Sequence, residues 1–318
     1  MAKLNTHTLV RSGFFVFFVW TCWRLFSFYQ WALGNGTYVA HPDATAGFVP
    51  LGAVMSLLAW LRTGLFDPVL PAAGVIILGA LAVSLLFKRG FCGWICPIGS
   101  ATSALGWLGR KMFGRAYNVP RKLDVGLRVP KYLIAGAIIM FLGAMPAANA
   151  IDFQKLPYYS IADLKILLML LNPNIWFIGL VLFVGLTSVY WGNTWCRYLC
   201  PLGALYGAVG AGSAGTVTRD PDICVACGAC SKACTKRVDV AAGKKVRAPE
   251  CDGCLDCVGA CPEPGALTAR WLGLRTPVWA WALSVVGLWM LIWGIASLTG
   301  HWHIGTAAST IASYIRQM

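Results

Sequence analysis

The chain alternates long apolar runs with short polar stops. The runs cover 13–33, 69–87, 132–150, 166–190 and 277–298. About 20 consecutive apolar residues span the hydrocarbon layer of a bilayer, so the pattern predicts about five transmembrane helices. The first run follows Lys3 and Arg11 and carries no small-residue cleavage site, which predicts an uncleaved span rather than a signal peptide. Arg24 lies inside it and must either face a polar group or snorkel to the interface, while Cys22 reads as packing. Residues 47–66 are apolar but short and broken by Pro50 and Arg62, the pattern of a re-entrant or interfacial helix. The fourth run is interrupted near Asn172-Pro173. Between 216 and 272 the apolar pattern gives way to a small soluble module.

Two of the runs end alike. Lys88-Arg89 is followed by F-C-G-W-I-C-P-I-G-S at 91–100, and W-C-R-Y-L-C-P-L-G-A recurs at 195–204. Each half therefore reads as a transmembrane pair ending in a cysteine elbow, a repeat of one structural unit. In C-x3-C the thiols lie one helical turn apart. The proline after the second cysteine suits the first turn of a new helix. Cys92, Cys96, Cys196 and Cys200 are open to three readings: ligands of a metal or of a further cluster, a disulfide or redox dithiol, or buried apolar thiols. The domains expected are 1–215 (membrane domain with both elbows), 216–272 (ferredoxin-like) and 273–318 (last transmembrane helix and tail). The fold class is mainly α: a polytopic helical membrane protein with pseudo-repeated halves and a small α+β module.

Composition agrees. The 318 residues are 58% hydrophobic and 12% charged, with 15 Trp, which excludes a soluble enzyme with one large core. A net charge of +14 would suggest nucleic acid in a soluble chain. Here the basic residues flank apolar runs, so no nucleic-acid partner is expected and membrane lipid is. Arg110, Lys111, Arg115, Arg121, Lys122, Arg128 and Lys131, with Asp124 the only acid, read as a cytoplasmic loop by the positive-inside rule. That orientation puts the elbows and the module in the cytoplasm. Thirteen cysteines there point to metal chemistry rather than disulfides.

The module carries the strongest signal. C-x2-C-x2-C-x3-C occurs at Cys224–Cys234 and again at Cys251–Cys261. Three thiolates from one tight loop and a fourth from the other run is the ligation of a two-cluster ferredoxin. One [4Fe–4S] cluster is assigned to Cys224, Cys227, Cys230 and Cys261, the other to Cys251, Cys254, Cys257 and Cys234. Zinc prefers two separated cysteine pairs to three successive x2 steps. The first run ends in Cys234-Thr235 where proline is usual; no ligand is lost.

Weaker signals remain. Gly210-Ala-Gly212-Ser-Ala-Gly215 fits G-x-G-x-x-G outside any strand–turn–helix unit and reads as a flexible hinge. His301 and His303 could hold a haem or metal, but read as interfacial residues at a helix end. His41, Asp67 and Asp152 are the other titratable groups expected near the outer face.

With the elbows and the double cluster motif together, the chain resembles the NapH-type membrane ferredoxin family and its NosR- and CcoG-like polyferredoxin relatives, over residues 50–265. It lacks a flavin domain like that of NosR and a C-terminal β-sandwich like that of CcoG proteins, and it has an extra last span. The resemblance implies an integral protein of the inner (cytoplasmic) membrane of a prokaryote. It also implies electron transfer between the quinone/quinol pool and other redox subunits of a respiratory complex. No catalytic acid, base or nucleophile stands out, so the expectation is an electron-transfer subunit of a quinol dehydrogenase-type complex. The rival is a metal reductase or maturation factor for a respiratory metalloenzyme.

Overall fold

The structure is a computed structural model that describes residues 6–114 and 119–317. Lys3, Arg115 and the side chain of Arg121, read above as topology signals, lie outside the described residues. The protein is mostly helical, with one small sheet. Its helices are α1 (Thr6–Ala32), α2 (Pro50–Thr63), α3 (Pro71–Phe87), α4 (Pro97–Phe113), α5 (Arg121–Ala144), α6 (Ala147–Gln154), α7 (Pro157–Ser160), α8 (Ala162–Leu171), α9 (Ile175–Trp191) and α10 (Pro201–Ala211). Strand β1 (Gly215–Arg219) opens the module, followed by α11 (Ala229–Ala233), α12 (Asp256–Gly259), β2 (Leu267–Trp271) and β3 (Leu274–Arg275). Helices α13 (Val278–Leu298) and α14 (Ala308–Arg316) close the chain.

Among the described residues three helices are long and apolar enough to cross a bilayer: α1, Lys122–Ala144 of α5, and α13. Their flanks expose large apolar side chains such as Phe17, Trp23, Phe141 and Leu291, as a lipid-facing surface requires. Helix α3 has 17 residues, the lower end of what spans. The fourth run is a broken pair, α8 and α9, bent by 82° at Asn172–Asn174, where Pro173 interrupts the helical hydrogen bonding. The third span begins earlier than its apolar run, at Arg121, and stops at Ala144 because Pro146 cannot continue it. Residues 121–131 are thus helix rather than loop. The tail forms α14, an amphipathic helix that the apolar pattern missed.

The chain divides into two compact units, each described by itself. The first comprises Met1–Phe15, Ala80–Ala135 and Gly179–Trp289. It holds both elbows together with the module. Its core joins Val83 and Phe87 of α3, Trp94 of the first elbow, Val217, Leu267 and Ala269 of the sheet, and Trp281 and Val285 of α13. The sheet is antiparallel in the order β1-β2-β3, with Val217 opposite Ala269. Residues 210–215 are not a hinge. A Cβ at Gly215 would lie 2.6 Å from the Trp281 ring and 2.7 Å from the Leu86 carbonyl, and one at Gly210 would lie 3.1 Å from the Lys88 backbone, so these two glycines permit close packing. Helix α4 crosses α9 as closely: a Cβ on Gly109 would meet the Val189 carbonyl oxygen at 1.8 Å. Gly109→Leu is expected to cost about 1–3 kcal/mol through overpacking, visible as an earlier melting transition in detergent. An unchanged transition would contradict this contact.

The second unit comprises Val16–Gly79, Gly136–Ile178 and Met290–Met318. Leu25, Phe28 and Ala32 of α1, Leu164 and Leu167 of α8, and Ile311 and Ile315 of α14 form one of its clusters. Arg316 donates to the Ala32 carbonyl at 2.8 Å and so caps the C-terminal end of α1.

Candidate metal centre

The two cysteine loops of the module share one backbone device. Ala226 and Gly228 flank Cys227 with φ of 54° and 71°, and Gly253 and Leu255 flank Cys254 with φ of 63° at both. A left-handed residue on each side of the middle cysteine curls the loop into a cup. At Leu255 the conformation is costly for a side chain, and its burial in the core offsets this.

Each cup is completed by the cysteine that the motif assigns to it. One pocket is lined by Cys224, Cys227, Cys230 and Cys261, with Arg219 and Pro262. A second is lined by Cys234, Cys251, Cys254 and Cys257. The two differ in environment. Cys227 is exposed, whereas Cys254 and Cys257 are buried. Backbone N–H of Ala226 and the Arg219 guanidinium, 3.6 Å from Sγ, hold the Cys224 thiol below its usual pKa. Burial pushes the Cys251 thiol up to about 12. A set of buried thiols is costly to ionise unless a cation sits among them, so the second cup suits a bound metal core. Helices α11 and α12, which carry Cys230 and Cys257, pack on each other.

The elbows fold as a matched pair. Phe91–Ile95 and Trp195–Leu199 are each one π-helical turn, with Cys96 N–H donating to Phe91 O and Cys200 N–H to Trp195 O, both at 2.9 Å. Cys96 and Cys200 then turn extended, and Pro97 and Pro201 start α4 and α10. The π turn, not the α turn read from the spacing, sets the thiols, and such turns frequent functional sites. The four thiols converge: Cys96 lies in electrostatic range of Cys92, Cys196 and Cys200. Burial raises Cys92 and Cys96 and pushes Cys200 up to about 12. The Gly203 N–H donates to Cys200 Sγ at 3.3 Å, and Thr102 Oγ1 is 3.7 Å from Cys196 Sγ.

The elbows touch the second cup directly. Trp94, fully buried between Cys92 and Cys96, donates its indole N–H to the Gly253 carbonyl at 3.1 Å. Arg89 N–H donates to the Cys251 carbonyl at 3.3 Å, and a Cβ on Gly93 would lie 2.6 Å from the Asp252 carbonyl. Lys236 reaches Asp252 (3.3 Å) and Asn193 (2.6 Å), the residue just before the second elbow. His7 of α1 was missed by sequence reasoning. Its ring lies 3.0 Å from both Asp256 Oδ1 and the Gly93 carbonyl, and nothing near it in sequence signals the contact. Among the described residues, His7, Cys254 and Asp256 are the only three His, Cys, Asp or Glu whose ligand atoms lie within 4.8 Å of one another. No three thiols of either cup or of the elbows lie within 4.8 Å of one another. A single tetrahedral zinc with ~2.3 Å bonds would need thiols about 3.8 Å apart.

The remaining candidates lie in the second unit. His301 packs edge-on against Phe66 and His303 pairs with Asp43 at 2.9 Å, so the two histidines take separate partners. Arg24 packs over the Trp20 ring. Asp152 is exposed and pairs with Lys155, whereas Asp67 is buried and bonded to Ser56 and Tyr159. His41 Nε2 lies 3.1 Å from the buried Asp163. Burial opposes a charge on His41, but the Asp163 carboxylate outweighs it and raises the imidazole pKa. The pair's stabilisation should be complete below about pH 6.5 and fade as pH rises through the raised value. Melting followed against pH should show that loss, and Asp163→Asn should abolish it; a flat profile in the wild type would contradict the pairing.

Two family descriptions match the chain. One, a 4Fe-4S binding domain, matches residues 69–116 and 174–214, the segments that carry the elbows. The other, a 4Fe-4S dicluster domain, matches 216–262. YccM of Escherichia coli (strain K12), a protein named for electron transport, is 34% identical over 292 residues, 89% of this chain and 81% of its own. The ferredoxin-type protein NapH of the same organism is 25% identical, over 76% of this chain and 72% of its own. The methylamine utilization ferredoxin-type protein MauN of Methylorubrum extorquens is 32% identical, over 60% and 62%. No solved structure matches the chain.

Proposed function

We propose, from the premise that this chain belongs to the NapH-type membrane polyferredoxin family, that it exchanges electrons between quinone or quinol in the membrane and a redox partner at the surface of its module. That it is an iron–sulfur electron-transport protein follows from the family itself. The finer reading rests on one observation: three sets of four cysteines lie side by side in one compact unit. In this reading Cys224, Cys227, Cys230 and Cys261 hold one [4Fe–4S] cluster and Cys234, Cys251, Cys254 and Cys257 another. Cys92, Cys96, Cys196 and Cys200 hold a further metal centre.

Bound there, the clusters would supply one-electron carriers. The chain's own residues do the rest. Trp94, Gly93 and His7 hold the elbow against the second cup. The core around Leu255 and Trp281 keeps that cup dry. The exposed Cys227 loop opens the first cup to a partner. That no three of the elbow thiols, or of either cup's, lie within 4.8 Å of one another favours a polynuclear centre over one ion. The module faces the cytoplasm in this reading.

Iron and acid-labile sulfide per chain, in anaerobically purified protein, test it. About twelve iron atoms, falling to about eight in Cys92→Ser, are expected. About eight in both would leave the elbows without a cluster. Zinc in place of iron would overturn the reading.

A further inference from the structure

Lys88-Arg89 ends a transmembrane run, and the ordinary reading of such a pair is a solvated topology signal. The structure shows otherwise: Lys88 is 1% exposed and Arg89 3%. Three carboxylates of this unit are buried, Asp124, Glu250 and Asp252, and each already holds a buried cation: Arg197 at 2.7 Å, Lys131 at 3.4 Å and Lys236 at 3.3 Å. Lys88 and Arg89 are left over. Among the described residues neither forms an ion pair with a carboxylate.

Asp252, already paired with Lys236, is the one carboxylate in electrostatic range of Arg89; the other groups that favour a charge on Arg89 and Lys88 are sulfur. The Arg89 guanidinium lies in electrostatic range of Cys92, Cys196 and Cys200, and donates to the Cys196 carbonyl at 3.4 Å. Lys88 sits beside Cys251 of the second cup, its Cβ against Gly253. The fold makes room for this. Gly203, Gly207 and Gly210 line one face of α10, and a Cβ there would lie 2.8 Å from Arg89 Nη2, 3.4 Å from Arg89 Cδ and 3.1 Å from the Lys88 backbone.

A guanidinium cannot shed its proton, and an uncompensated buried charge costs several kcal/mol. Neutral thiols or a disulfide would leave that cost standing. Four thiolates around an iron–sulfur core carry net negative charge and would remove it. We therefore infer that Lys88 and Arg89 are built-in counter-charges, Arg89 for an anionic centre held by the elbows and Lys88 for the cluster held by Cys234, Cys251, Cys254 and Cys257. The inference rests on the ligand sets proposed above. A fixed positive charge favours the more negative, reduced state, so each residue raises the potential of its own centre.

Redox titration of the full chain in detergent, followed by EPR, tests this. Arg89→Gln should make the elbow centre harder to reduce by at least about tenfold in the equilibrium constant, which is 59 mV for one electron, and leave the module centres in place. Lys88→Gln should shift the second-cup centre instead. Arg89→Lys and Lys88→Arg should restore the wild-type values. Fully loaded Gln variants with no shift, or with both centres shifted alike, would overturn the assignment. Should Arg89→Gln fail to load the elbow, loading restored by Arg89→Lys supports a counter-charge, and loading absent from both overturns it. Wild-type protein with only about eight iron atoms would instead sink the elbow reading for Arg89 and leave the Lys88 test standing.

Discussion

Cys254→Ser is expected to remove one whole cluster, about four iron atoms, and to bring electron delivery down to background. Cys254 is the middle cysteine of the second cup, buried and flanked by two left-handed residues. Serine keeps the volume but offers a poor ligand for a soft metal. Loss of this cup matters more than loss of the exposed one because the elbows contact the module here, through Cys251, Asp252 and Gly253. Iron analysis and EPR of the purified variant check the first expectation, and turnover with an artificial acceptor checks the second. Full iron with an unaltered spectrum would place the ligand elsewhere.

The second large effect is expected at Trp94. Its side chain is fully buried in the core that joins α3, the sheet and α13, and its indole N–H satisfies the Gly253 carbonyl. Trp94→Ala should cost about 3–5 kcal/mol from the cavity alone, and the orphaned carbonyl adds to it. Trp94→Phe separates packing from coupling. It keeps most of the volume and loses the hydrogen bond, so it should melt closer to the wild type yet disturb the spectrum of the second-cup cluster. A Trp94→Phe protein with a wild-type spectrum would show that the indole only fills space.

Much of this was legible in the chain. The cysteine sets were readable because their information is local: x2 spacing fixes a loop, and the two runs complete each other. The elbows were readable because they repeat, and Pro97 and Pro201 start helices where their position after the second cysteine indicated. What stayed hidden depends on non-local pairing. Nothing around His7 reveals that it meets Gly93 and Asp256. Lys131 was read as a basic loop residue, but it is buried and paired with Glu250, 119 positions away. The same non-locality hides the burial of Lys88 and Arg89, which in the sequence only end an apolar run. The hinge reading of 210–215 failed because glycine permits both flexibility and close approach, and only the neighbours Trp281 and Leu86 decide between them. The 82° bend between α8 and α9 was signalled by Asn172-Pro173, though its size was not.

In the proposed mechanism the elbow thiols lie on the route between the membrane quinone and the module clusters. Stopped-flow reoxidation of dithionite-reduced protein in liposomes, with a membrane-confined quinone as oxidant, addresses it whichever way electrons normally run. Wild-type clusters should reoxidise rapidly. Cys92→Ser should reoxidise slowly by quinone while a soluble oxidant still reaches its module clusters at the wild-type rate. Equal quinone rates in the two proteins would take the elbow thiols off that route.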